Sequence, residues 1–463
     1  MDWDEFARWG RHIADWGRDY HMSLRLRPVR APVKPGEIAA QLADGPPEKP
    51  EPMERIFADF ERVVVPGMTH WQHPRFFAYF PANAAPPSML AEFLVTTLAA
   101  QCMLWQTSPA ATEMETRVVD WLRQALGLDE GFSGVIQDSA SSATLAAVLV
   151  MRERATEWRG NETGLGGEGR LRVYCSAQVH TSVDRAVWVA GIGRDNLVRV
   201  PTHGPLHGMD ADALRDAVQR DRAAGFRPAG IVASTGGTAI GACDDIAAVA
   251  AVARDEGLYL HVDAAWAGSA MICPEFRDLW KGIDGADSIV FNPHKWLGAQ
   301  FDCSVHFLRD PQSLVRTLAM RADFLDTTDA EGVIDYSEWS IPLGRRFRAL
   351  KLWFLLRSYG LEGLRERMRN HVRWSQALAE RLRAHPRFAI ASEPILSLFT
   401  FRLREADDAA QLLFVERVNG DGRIYVTQTR VEGRMAVRFQ VGQFDCTEGD
   451  VSFAGDVLEE LAG

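Results

Sequence analysis

Lysine is scarce in this sequence. Of 51 basic side chains in 463 residues, only Lys34, Lys49, Lys281, Lys295 and Lys351 are lysines. Basic charge as a whole is outweighed: the net charge is −11, which argues against the basic surfaces that nucleic acids and anionic membranes require. No run of 18 apolar residues occurs, so no transmembrane helix is expected. The opening MDWDEFARWG lacks the basic segment and apolar stretch of a secretory signal. Cysteine is also sparse, at positions 102, 175, 243, 273, 303 and 446, without metal-type spacing. Reduced thiols in a cytoplasmic protein are the expectation, not a disulfide framework. There is no internal repeat. What remains, 47% hydrophobic and 24% charged residues, is the composition of a soluble globular protein. The length suits two or three domains, or one large α/β domain with appendages.

Near the start, Phe6, Trp9, Ile13, Trp16 and Tyr20 recur at intervals of three and four, marking one face of a helix. From Pro28 to Pro52 seven prolines make an extended linker that cannot cover this face. The stripe can pack on a partner subunit or on its own chain. From about residue 115 short apolar runs alternate with helical stretches. Strands are expected at Val135–Ile136, Leu171–Cys175, Leu197–Val200, Gly230–Ser234, Leu258–Val262 and Ile289–Phe291. Helices are expected from Ala140 and over His180–Val189, Asp210–Arg222 and Asp245–Arg254. This alternation predicts a mostly parallel sheet covered by helices on both faces. A long helix over Arg345–Tyr359 leads to a smaller α+β part, with a helix over Leu361–Ala384 and strands at Phe388–Ala391, Leu398–Leu403 and Met435–Val441. The division expected is an arm over 1–75, a large α/β domain over 76–355 and a small domain over 356–463.

Four features fall at strand ends or helix starts, where such sheets place ligands. In GVIQDSASSATL a strand stops and Ser139, Ser141, Ser142 and Thr144 crowd a helix start. That is an anion site suited to phosphate, or simply a serine cap. Asp263 ends the apolar run LYLHVD; buried there it wants a cationic partner such as a protonated pyridine nitrogen, unless it caps the next helix. Lys295, in FNPHKWLG, can form a Schiff base with an aldehyde, which arginine cannot. The scarcity of lysine weighs against an incidental surface residue. His180 opens a helix after a strand and can stack on a planar ring; alone it would read as structural. Phosphate cradle, carboxylate, reactive amine and stacking imidazole together describe a site for pyridoxal 5′-phosphate (PLP).

Over nearly its whole length the chain resembles the group II PLP-dependent decarboxylases, in particular the aromatic L-amino acid decarboxylases. The resemblance rests on HPRFFAYFPA (73–82), SPAATEMET (108–116), VIQDSASSATL (135–145), VHTSVDRA (179–186), HVDAAWAGSAMICPEFR (261–277), FNPHKWLGAQFDCS (291–304) and DYSEWSIPLGRRFRALKLWF (335–354). It implies the fold type I PLP architecture, with an N-terminal helical arm and a small C-terminal α+β domain. It implies Lys295 as the cofactor-bonding lysine, Asp263 against the pyridinium nitrogen, and His180 stacked on the ring and participating in protonation. Ala140, Ser141 and Asn292 would hold the phosphate, with Thr238 and His294 lining the site. Trp71, Tyr79, Phe80 and Pro81, with Gln101 and Met103 from a partner subunit, would shape the side-chain pocket. A homodimer with embracing N-terminal helices is implied, acting on an aromatic amino acid.

The chain departs from the family pattern in the loop expected within residues 310–340. RADFLDTT places Phe324 where these decarboxylases carry a tyrosine that protonates Cα; Tyr336 belongs to the DYSEW match and should not substitute. A phenyl ring has no O–H to donate. The resemblance therefore allows two outcomes: a decarboxylase protonating through His180 or water, or an aromatic acetaldehyde synthase, whose carbanion meets dioxygen and yields aldehyde, ammonia and hydrogen peroxide. Gln101 and Met103 stand where animal members have an apolar pair, and Gly344 leaves room for a wide ring such as indole. Another fold type I PLP enzyme, or a binding protein on a decayed PLP fold, agrees less well with these residues.

Overall fold

The computed structural model describes residues 1–167, 169–320 and 333–463. Helix α1 (Trp3–Ser23) starts where the Asp2 carboxylate accepts the Glu5 N–H, a side-chain N-cap. Its aromatic stripe lies partly on its own chain. Trp9 and Trp16 meet Phe57 of α2 (Met53–Asp59), Trp16 meets Phe60, and the Tyr20 hydroxyl is 2.8 Å from His70 Nδ1. Phe6 stacks on Phe93 of α3 (Pro86–Leu98). No α1 residue is buried, and Trp3 and Ile13 stay 83% and 52% exposed. The self-packing alternative thus accounts for one flank, and the other remains open. Helix α4 (Pro109–Leu126) then leads into the sheet.

The central sheet is built from β1 (Ser133–Gln137), β2 (Leu171–Ser176) and β3 (Leu197–Val200). After a small hairpin of β4 (Thr202–His203) and β5 (Gly208–Met209) come β6 (Arg227–Ser234), β7 (Tyr259–Asp263), β8 (Ser288–Phe291) and β9 (Ser304–Leu308). The order is β1-β9-β8-β7-β6-β2-β3. Only β9 runs against its neighbours in this sheet. Strands such as β7 and β8 are buried at every position, which is why they read as near-continuous apolar runs. The helices α5 (Ala140–Ala155), α6 (Gly160–Thr163), α7 (Ser182–Val189), α8 (Ala211–Ala223), α9 (Ile246–Asp255) and α10 (Pro311–Leu318) occupy its connections. The expected parallel α/β architecture is present. Strand β9 was not anticipated.

The two helices expected after Pro342 form one element, α11 (Ala349–Ala384), broken only by non-helical geometry at Gly360 (φ 61°, ψ 171°). The expected start at Arg345 is wrong: the Arg345 N–H bonds to Gln101 Oε1 and its guanidinium pairs with buried Glu115, so helix begins four residues later. The division drawn at 355/356 falls inside this helix. Beyond it, β10 (Phe388–Ile395), β11 (Leu398–Leu403), α12 (Asp408–Asp421), β12 (Thr427–Val431), β13 (Arg434–Gln440) and α13 (Glu448–Ala462) complete the chain. The second sheet, β10-β11-β13-β12, is antiparallel. Phe77 stacks on Phe439 at 4.3 Å, joining the 73–82 segment to this sheet. Among the described residues no helix is long and apolar enough to cross a membrane, and all six cysteines are buried free thiols.

Candidate active site

Five chain segments leaving the carboxyl ends of β1, β2, β6, β7 and β8 converge on one cavity of about 230 Å³. In-register pairing explains this: Asp263 at the end of β7 lies beside Ser234 of β6 and Val290 of β8, so the strands stop at the same level. Open α/β sheets bind ligands along this edge.

At one side, α5 begins. Ser139 Oγ accepts the Ser142 N–H at 3.2 Å and closes the cap, and no described residue accepts from the amides of Ala140 or Ser141. Two free N–H groups at a helix N-terminus are suited to an anion. Asn292 adds to them: its Oδ1 accepts the Ser304 hydroxyl at 2.5 Å, and no described residue accepts from its NH₂. Thr144 does not join this cradle. It is wholly buried beneath the helix, 3.4 Å from His261 Nε2.

Asp263 is only 7% exposed. Its Oδ1 accepts the Ala265 N–H at 3.0 Å in a local turn, short of the helix that starts at Ala267 and has no side-chain cap, and it forms no ion pair with a described residue. Lys295 lies on the short helical turn Pro293–Leu297, its Nζ 4.9 Å from the centre of the Phe80 ring. Burial pushes its amine down to about 8; the Asp263 carboxylate opposes that shift and Arg438 adds to it. Lys351 supplies the contrast. It is fully buried, but Glu92 lies 2.6 Å from its Nζ and the carbonyls of Gln300 and Asp302 accept from it.

His180 and His294 face the same space. His180 Nδ1 accepts the Ser182 N–H at 3.1 Å, and burial is the main cause of its lowered pKa, with Asp263 opposing and Lys295 reinforcing. His294 Nδ1 accepts the Cys303 N–H at 2.9 Å, and burial pushes that imidazole to about 3. Both present Nε2 as the free edge. Thr238 lines the cavity beside the Gly236–Gly237 turn.

This cavity opens into a second chamber of about 620 Å³ that shares Phe80, His180, Thr238, His294 and Lys295 with it. Trp71, Tyr79 and Pro81 wall the chamber, the first two stacked at 5.9 Å. Behind it Phe80 stacks on Trp266 at 4.7 Å, and Trp266 on Trp296 at 5.1 Å.

The donor set fits PLP. Free amides and the Asn292 NH₂ suit the phosphate, an amine without an anionic partner suits the aldehyde, and a buried carboxylate without a cation suits the pyridinium. A family profile described as the pyridoxal-dependent decarboxylase conserved domain matches residues 35–404. The chain belongs to the pyridoxal-dependent decarboxylases. The decarboxylase is 40% identical to the aromatic-L-amino-acid decarboxylase of Mus musculus, over 100% of this chain and 98% of the relative. It is 35% identical to the phenylacetaldehyde synthase of Arabidopsis thaliana, over 100% and 96%. The crystal structure of Oryza sativa TDC with PLP and tryptamine superposes with a TM-score of 0.97 at 34% identity, over 100% of this chain and 98% of that one.

Not every expected residue of the decarboxylase meets the cavity. Gln101 is exposed with its Oε1 on the Arg345 N–H at 2.6 Å, the Met103 carbonyl accepts the Ser337 N–H, and neither side chain lines either chamber. Gly344 sits beside Gln101, not beside the cavity of its own chain. Tyr336 is 2% exposed, its hydroxyl 2.9 Å from Thr116 Oγ1, and lies outside both chambers. Phe324 lies outside the described residues.

Sequence reading missed Arg438. It is 3% exposed on β13, with Nε donating to the Thr238 carbonyl and Nη1 to the Tyr79 carbonyl. Among the described residues its Nη2 has no partner and it forms no ion pair. The guanidinium lies 4.6 Å from the Phe80 ring and lines the larger chamber. Burial alone pushes its pKa down to about 9. The signal was available: an arginine inside the apolar run MAVRFQV.

Proposed function

We propose that this decarboxylase removes the carboxyl group of an aromatic L-amino acid, with PLP as cofactor, giving carbon dioxide and the amine. The observation that carries this is a cavity in which buried Lys295 and Asp263 both lack ion-pair partners among the described residues, opening directly into a chamber walled by Trp71 and Tyr79. Curated relatives with decarboxylase and aldehyde synthase names support the reaction class.

PLP in this cavity supplies an aldehyde for an amine and a ring able to accept the electron pair left by departing carbon dioxide. Ala140, Ser141 and Asn292 hold its phosphate, and Asp263 keeps a proton on the ring nitrogen. Lys295 Nζ provides the amine, neutral in a useful fraction near pH 8. His180 covers one face of the ring, and Thr238 and His294 border it. Arg438 Nη2 receives the substrate carboxylate, while Trp71, Tyr79, Phe80 and Pro81 enclose the aromatic side chain and keep water from the reacting bond.

The division into an arm, a large PLP-binding domain and a C-terminal domain belongs to this reading, as does a cytoplasmic setting. So does a homodimer. Helix α3 leaves Leu90, Phe93, Leu94 and Leu98 41–63% exposed, and Gln101 and Met103 follow it directly in the chain. Covering that face with a second copy would carry Gln101, Met103 and Gly344 toward the partner's pocket.

A second reading has its own support. Tyr336 is locked away from the cavity by Thr116, and the sequence has Phe324 where the resemblance expects a tyrosine. Without that donor, oxygen competes for the carbanion. A product balance in air, with the PLP-loaded protein and tyrosine, dopa, phenylalanine or tryptophan, separates the two. Amine equal to carbon dioxide supports simple decarboxylation; aldehyde, ammonia and peroxide rising with carbon dioxide support the oxidative branch. Absence of carbon dioxide with all four would sink both.

A further inference from the structure

His180 stands two residues before α7, and its outer edge faces the cavity. Its inner nitrogen is held from one direction by a single residue. Ser182 approaches Nδ1 twice: its main-chain N–H donates at 3.1 Å, and its Oγ stands 2.9 Å away. A backbone amide can only donate, so Nδ1 must offer a lone pair, and the imidazole proton must sit on Nε2. The hydroxyl, free to rotate, adds a second donor to the same atom. Ser182 is 7% exposed and also lines the smaller cavity.

We propose that Ser182 is the positioning residue for His180, committing the ring to the neutral Nε2–H tautomer and fixing the plane in which it covers the cofactor. The idea rests on the decarboxylase reading for its catalytic meaning, but the tautomer itself does not. With Nδ1 occupied by two donors, His180 works at the cavity as a hydrogen-bond donor through Nε2–H. It is not a base there, and it becomes imidazolium only by displacing the Ser182 contacts. The other charged groups bearing on the ring are Asp263 and Lys295 across the cavity and Asp184 and Arg185 on α7. None of them hydrogen-bonds to Nδ1.

The test combines tautomer and kinetics in Ser182→Ala, Ser182→Thr and the unaltered protein. Nitrogen-15 spectra of histidine-labelled apoprotein, with the His180 signals assigned by their loss in His180→Gln, report the tautomer without any cofactor. The Nε2–H form is expected in the unaltered protein and in Ser182→Thr, which keeps the hydroxyl. Ser182→Ala keeps the main-chain N–H and is therefore expected to keep the Nε2–H form, but with a higher His180 pKa, because one of the two donors favouring the neutral ring has gone. Second-sphere bonds that orient a functional histidine are worth about tenfold or more. On the holoenzyme, Ser182→Ala should therefore lower kcat about tenfold with KM for the amino acid little changed, and Ser182→Thr should restore it. An unaltered His180 pKa and kcat in Ser182→Ala would overturn the proposal, as would Nδ1–H in the unaltered protein. If no aromatic amino acid releases carbon dioxide, the decarboxylase reading fails while the spectra still decide the tautomer.

Discussion

Lys295 and Lys351 show how much a partner decides at the scale of a single residue. Both are withdrawn from water, yet Lys351 has Glu92 at 2.6 Å while Lys295 pairs with no anion among the described residues. Burial lowers the Lys295 pKa to about 8, and its neutral form is the nucleophile toward an aldehyde. The rate at which apoprotein captures PLP should therefore rise as pH passes through about 8 and level off above it. Stopped-flow absorbance across pH 6.5–10 checks this, and an inflection at the ordinary lysine value of about 10.4 would contradict it. Arg438 carries a second expectation. Hydrogen bonds to charged groups are worth roughly 1.5–3 kcal/mol, so Arg438→Met should cut kcat/KM about ten- to a hundredfold. Lys295 and Asp263 were legible because each is the wrong residue type for an apolar strand end. Arg438 carried the same signal but was absorbed into a strand pattern. The roles proposed for Gln101 and Met103 would depend on a second chain, which periodicity in one chain cannot locate.

Elements position these groups, and two of them can be tested separately from chemistry. The single break in α11 is Gly360, whose φ of 61° and ψ of 171° belong to a region essentially reserved for glycine. A Cβ there meets nothing within 4 Å, so Gly360→Ala isolates backbone strain from packing. A loss of about 1–3 kcal/mol in denaturant unfolding is expected; no change would mean that the kink relaxes freely. The second is the buried pair Glu115–Arg345, 3% and 2% exposed at 2.6 Å, with Glu115 also accepting the Ile136 N–H and Arg345 donating to the Ile136 carbonyl. It ties α4, β1 and the segment before α11 together. Glu115→Gln leaves a buried cation uncompensated, and about 3–5 kcal/mol of stability should go with it, measured as a shift in urea midpoint at constant slope. The elements visible beforehand were those whose both faces are apolar, such as β7 and β8. Strand β9 was hidden because Ser304 and His306 interrupt its apolar run. Ser304 is there to orient Asn292, whereas both nitrogens of buried His306 lack partners and have no physical account here.

At the scale of the whole molecule, the sheet edge was readable from alternation alone, whereas the closure of the active site was not. The chain's own residues line both chambers, and the open face of α3 lies next to Gln101 and Met103, which the proposed dimer would carry toward a partner. Phe93→Glu places a charge in the middle of that face and against Phe6 of α1. Sedimentation velocity should then show a monomer with depressed activity, and an unchanged dimer would remove α3 from the interface. The central claim is simpler than any of these. It is tested most directly by carbon dioxide release from carboxyl-labelled tyrosine, dopa, phenylalanine and tryptophan, with and without PLP, in the unaltered protein and Lys295→Ala. PLP-dependent release from at least one of the four, abolished in Lys295→Ala, is the predicted result. No release from any, or equal release by Lys295→Ala, would contradict the account.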